Sequence, residues 1–211
     1  VTAVSYETVF GYVYAVLRVN LCLLAAGFPL VLALAFTRAP LEAWPFFVAL
    51  AALCGPAVTG AFAAFEAMAE DTDRVGRRFW AAYRAGFGRS LAITAVASAV
   101  VIGLGVDLQL AANTPFKPLV PMLAALIAMV VIVTTAVLAT GRRLHGPSLL
   151  ACAYVSIRKW YLSLADLAVL GLLLAAIVAK PALGLAVLPA PALFIVWANT
   201  RHITAPLTET S

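Results

Sequence analysis

Ionisable side chains at or inside long apolar runs are the residues of this chain best placed to do chemistry. In a medium without water each needs a partner or a function. Arg18 stands near the start of the first apolar run and Glu66 at the end of the second. An antiparallel hairpin would bring the two to similar depth, which predicts a structural salt bridge. Asp166 falls about four residues into a later run, roughly 6 Å below its start at 1.5 Å per residue, and Arg89, at the head of the third run, is its candidate partner. Asp107 lies near the far end of the third run, within reach of water. None of the nine acids is central to a run. That argues against a proton- or sodium-coupled carrier built on a mid-membrane carboxylate.

Small polar residues and prolines supply the next signal. Pro29, the Gly55-Pro56 pair, Pro189 and Pro191 fall within apolar runs, and Thr59, Thr134 and Thr135 can hydrogen-bond across helices. Transporters expose backbone at helix breaks of this kind, but membrane helices also carry proline as a simple kink. Asn20 can cap or join helices at about 1 kcal/mol. Catalytic constellations are missing. His145 and His202 are the only histidines and lie far apart, and there is no metal-binding His pair, nucleophile elbow or phosphate loop. Cys22, Cys54 and Cys152 form no close motif. The expectation is a non-enzymatic protein with no catalytic residue, metal or cofactor.

The elements that position these residues follow from composition. Apolar residues make up 64% of the 211 and charged residues 11%, against roughly 45–50% and about 25% in soluble domains. That excludes a water-soluble globule, a disulfide scaffold and a nucleic-acid-binding module, and makes the bilayer the first partner. A helix crosses the hydrocarbon with about 20 mainly apolar residues. Six runs qualify, near 14–36, 44–66, 91–110, 119–140, 162–180 and 182–200, within one integral domain covering 1–211. They do not alternate as barrel strands would, so the fold class is all-α, a polytopic membrane helical bundle. Six spans put both termini on one side. Eleven of the fourteen Lys and Arg then fall on that side, leaving Arg38, Lys117 and Lys180 on the other. The positive-inside rule places both termini and the two long connections in the cytoplasm. The first run has no cleavage pattern and reads as a retained span.

The two long connections do not look like loops. Phe79, Trp80, Tyr83 and Phe87 share one helical face, with Arg74, Arg77, Arg78 and Arg84 opposite. Leu149, Leu150, Ala153, Tyr154, Ile157, Trp160 and Tyr161 line a second face, with Arg158 and Lys159 off it. Both read as cytoplasmic amphipathic interfacial helices, aromatic side in the headgroups. Each would serve as an anchor on anionic lipid, about 1 kcal/mol per basic residue, or as a dock for a partner. Trp44, Trp80, Trp160 and Trp197 all fall near span ends and read as interface anchors.

Asn20, Pro29-Leu30, Gly55-Pro56-Ala57-Val58-Thr59, Phe79-Trp80, Phe87 and Arg89-Ser90-Leu91, taken together, resemble the YesL-type family of bacterial membrane proteins, a domain of unknown function. The likeness covers about residues 15–95. It departs at Leu21-Cys22-Leu23-Leu24, where members often carry Trp, and at Phe62 and Phe65, where a Tyr is common. The resemblance implies the bacterial cytoplasmic (inner) membrane and association with carbohydrate ABC importers, whose permease subunits become candidate partners. It transfers no catalytic residue. The leading expectation is therefore an accessory component of such an importer. The alternative is an independent small transporter or channel, homo-oligomeric, that uses the proline-kinked spans. The structural and partner candidates are Arg18, Asn20, Glu66, Arg89, Asp166, Pro56, Thr59, Phe79, Trp80 and Phe87.

Overall fold

A backbone in lipid must satisfy its own hydrogen bonds, and apolar runs without strand alternation do so as helices. The computed structural model describes residues 6–37, 39–68, 74–140 and 153–208, and every regular element among them is helical. In chain order the α-helices are α1 (Tyr6–Ala26), α2 (Phe28–Phe36), α3 (Trp44–Ala51), α4 (Gly55–Met68), α5 (Val75–Ala112), α6 (Val120–Thr140), α7 (Trp160–Ala179), α8 (Pro181–Val187) and α9 (Pro189–Thr208). A 3-10 turn, Ala52–Cys54, joins α3 to α4, and another, Lys117–Leu119, leads into α6.

Four stretches are long and apolar enough to cross a membrane: Trp44–Met68, Val75–Ala112, Lys117–Ala139 and Trp160–Ala179. The pair Gly11–Ala26 and Phe28–Phe36 passes the same test jointly but is bent by 69° at Gly27. The cause is local. Pro29 has no N–H to donate back into α1. Gly27 closes α1 through its N–H to the Leu23 carbonyl at 2.8 Å, and its own carbonyl opens α2 by accepting from Leu30 and Val31. The run expected at 182–200 is not one helix. It divides at Leu188, ahead of Pro189, into α8 and α9.

The first long connection is also different from expectation. No separate surface helix precedes the third span. α5 is a single helix of 38 residues, about 57 Å long at 1.5 Å per residue, nearly twice a hydrocarbon core of roughly 30 Å. Nothing between Val75 and Ala112 is a helix breaker other than five glycines, each costing only about 1 kcal/mol relative to Ala in a helix. Of the second connection, residues 141–152 lie outside the described residues. Residues 153–158 are helical, and a turn at Lys159 precedes α7.

The core gathers where α1, α4, the first half of α5, the end of α6 and α9 meet. Val19, Phe65, Val75, Phe79 and Val196 are its largest fully buried apolar side chains apart from proline. The most apolar stretch of Trp44–Met68 is 39% buried, whereas that of α5 is 6% and that of α7 is 11%. α4 is thus the central span, and α5 and α7 turn most of their apolar surface outward, where lipid is the available solvent. Trp44 packs against α5 at Gly105, where an added Cβ would come within 2.5 Å of the indole ring.

Candidate functional site

The helix breaks hold the polar chemistry of the bundle. Asn20 is 2% exposed on α1. Its Nδ2 donates to the Ala186 carbonyl, and its Oδ1 accepts from the Ala190 N–H at 3.2 Å. Those two backbone groups are the i−4 acceptor and i donor that an unbroken helix would pair with each other. The Asn20 amide is spliced into the missing bond, its donor to the α8 side and its acceptor to the α9 side of the break. An amide is the neutral side chain that carries both roles on adjacent atoms.

The α3–α4 break is repaired from α5. Pro56 has no N–H for the Ala52 carbonyl. The Thr94 hydroxyl lies 2.7 Å from that oxygen and 2.8 Å from its own i−4 acceptor, the Ser90 carbonyl. Thr59 Oγ1 sits 2.8 Å from Ser90 Oγ, joining α4 to α5 one turn further on. Glycine makes this approach possible. A Cβ on Gly55 would lie 2.4 Å from Thr94 Oγ1, and one on Gly60 would lie 3.0 Å from the Phe79 carbonyl. Pro56 and Thr59 therefore belong to one contact, the α4–α5 seam.

The charged pairs are arranged otherwise than expected. Arg18 is directed at α5, its Nε 2.8 Å from where a Cβ on Gly76 would stand. Glu66 is exposed and lines a cleft together with Arg78. The cleft, about 390 Å³, is floored by Ala63, Ala67, Ala81, Ala82 and Ala85. Asp166 is 2% exposed, but its Oδ1 accepts from Asn199 Nδ2 of α9 at 2.9 Å. Asn199 takes the place foreseen for Arg89, and one turn before Asp166 the Ser163 hydroxyl donates to the Ser156 carbonyl at 3.0 Å. Lys159 Nζ donates to the His202 carbonyl, tying the start of α7 to α9.

The aromatic face of α5 does not lie in headgroups. Phe79 is fully buried, and Trp80 and Tyr83 pack against the core. Phe79, Trp80, Tyr83 and Phe87 form a ladder of rings at 5.3–5.5 Å between successive edge-on partners. Only Phe87 is largely open, at 39%. Trp197 is a core residue too and not an interface anchor. It is buried against Phe65 and Phe194, with the Arg201 guanidinium carbon 5.1 Å from its ring centroid. Trp160, at 64% exposure, is placed as an anchor would be.

The three broken segments converge. Gly27, Cys54 and Pro189, one from each break, line a single cavity of about 340 Å³, walled on its far side by Leu170, Leu173 and Ile177 of α7. Among the described residues no cluster of three or more His, Cys, Asp or Glu could hold a metal ion.

These features define a multi-pass membrane protein with an all-α fold. No protein-family model, curated protein or solved structure matches the chain. The likeness to YesL-type proteins rests on the residues quoted above.

Sequence reasoning missed Asn199 and Thr94. Asn199 lies at the end of an apolar run two residues before Arg201, where a polar residue passes as a helix end. Thr94 had a signal: it follows Ser90 at a one-turn spacing and faces a Gly-Pro pair on the neighbouring helix.

Proposed function

We propose that this chain is a non-enzymatic accessory subunit of a bacterial carbohydrate ABC importer, held in the cytoplasmic membrane with both termini inside. In this reading it crosses six times, the bent α1–α2 pair and the divided α8–α9 pair each counting once. The YesL-type likeness supplies the importer. The observation that carries an accessory role is α5. Its apolar part, 91–110, is long enough for the hydrocarbon, and the residues before it, 75–90, add roughly 24 Å of the same rigid rod. On that part the aromatic rings face inward and Arg77, Arg78 and Arg84 are exposed. A lipid anchor needs the opposite arrangement, rings in the headgroups. Beside it the alanine-floored cleft, edged by Glu66 and Arg78, lets a partner helix approach closely, as small residues do in membranes.

Affinity purification in mild detergent, from cells expressing the importer, tests this. Permease or ATPase subunits should come down with the tagged chain, and Arg77→Glu with Arg84→Glu should reduce their recovery at least fivefold. Recovery of the chain alone counts against the reading.

The convergence of three helix breaks favours a second reading, an independent small carrier or channel, homo-oligomeric if it forms a pore. Flux in proteoliposomes containing this chain alone is its test.

A further inference from the structure

We infer that the cavity at the three helix breaks is a binding site for one hydrocarbon chain of a membrane phospholipid, entering sideways from the bilayer. The inference stands apart from the docking reading, which concerns α5 and the Glu66 cleft.

The cavity's walls are hydrocarbon: among the residues quoted, only the Cys54 thiol is not aliphatic. The Asn20 amide, which bridges the α8–α9 break, is already committed at both ends to Ala186 and Ala190. The Thr94 hydroxyl is already shared among the Ala52, Ser90 and Leu91 carbonyls. A sugar or ion brought here would lose its water with nothing offered in return, so a hydrophilic substrate does not fit. Dry apolar cavities do fill with hydrocarbon: one of about 150 Å³ holds benzene, and this one is about 340 Å³.

Its depth and shape select a chain. The breaks at Gly27 and at 52–54 lie inside the stretches that would cross the bilayer, where acyl chains are the surrounding phase. A second apolar hollow of about 240 Å³ adjoins it and shares Leu30, Ala51 and Ile177 with it. The second hollow runs on past Trp44 to Pro40, beyond the N-terminal end of α3. Ala51, the exposed residue between the two hollows, marks the side entrance. Two adjoining apolar hollows that share lining residues suit a linear chain whose headgroup stays at the membrane face.

The full chain in phosphatidylglycerol nanodiscs, doped with a phospholipid bearing a diazirine midway along one acyl chain, gives the test. After irradiation, peptide mapping should find adducts on Ala57 and Leu185, inside the cavity, as well as on Leu172, which is 72% exposed and faces lipid. Ala51→Phe or Val58→Phe should cut the inner adducts at least fivefold and leave those on Leu172 unchanged, which also reports that the variant has folded. Leu173→Ala, which enlarges the slot, should raise them. Inner adducts absent from the wild-type chain, or unmoved by the filling substitutions, overturn the inference. A parallel arm with a diazirine fatty acid and unlabelled phospholipid separates the sources. Inner labelling in that arm alone overturns the assignment to phospholipid.

Discussion

Asn20 and Gly55 do the work that side chains elsewhere in the bundle do not. Replacing Asn20 by Leu keeps the apolar bulk but leaves the Ala186 carbonyl and the Ala190 N–H without partners. A buried backbone group without a partner costs about 1–3 kcal/mol. We expect Asn20→Leu to destabilise by roughly 2 kcal/mol in detergent unfolding, since membrane-embedded hydrogen bonds lie toward the low end, about 0.6–1.7 each. Glycines provide a matched contrast. Gly55→Ala forces a methyl to 2.4 Å from Thr94 Oγ1 and should cost about 1–3 kcal/mol as overpacking. Gly103→Ala and Gly88→Ala meet open space and should raise thermal stability by a few tenths to about 1 kcal/mol through helix propensity. Thr94→Ala added to Gly55→Ala should recover part of the loss. If the double variant is no better than the single, the Gly55–Thr94 contact is not the reason for glycine.

At the scale of the element, α5 tests how far a sequence can be read. The ring spacing of Phe79, Trp80, Tyr83 and Phe87 does mark one helical face. Which medium that face meets depends on α4, and periodicity carries no information about a neighbour. The same limit explains the charged residues. α5 runs far enough to set Gly76 before Arg18 and to put Arg78 in one cleft with Glu66. Breaks were easier to foresee, because Gly-Pro and Pro-x-Pro steps remove donors whatever surrounds them. Their repair was not legible, since it comes from 166 residues away for Asn20 and 42 for Thr94. For the ring ladder we expect Phe79→Ala, fully buried, to cost about 3–5 kcal/mol. Phe87→Ala should cost well under half of that, and Arg77→Ala little. Equal losses for Phe79 and Phe87 in a chemical or thermal melt would mean the face is not packed against the core.

For the whole molecule, the charge asymmetry and the helix lengths combine into one topological expectation. A membrane-impermeant maleimide should label a cysteine placed at Asn113, in the exposed turn after α5, from outside intact cells. A cysteine placed at Arg201 should be labelled only after the membrane is opened. The outcome separates six crossings from five: with α8 and α9 folded back instead of crossing, both positions are labelled from outside. The α8–α9 pair is the element whose hydropathy alone cannot decide this, because the break leaves neither half long enough and apolar enough by itself.

The amide of Asn20 carries a consequence for biosynthesis. Its partners are made about 170 residues later. Until then the first helix carries a polar group with nothing to bond in a greasy surrounding, and the closing helix cannot complete its own ladder. Insertion of this bundle is therefore unfinished until α1 meets the α8–α9 pair. A nascent chain stalled before Ala190 should be handed to membrane proteases, and a C-terminal fragment supplied separately should rescue it.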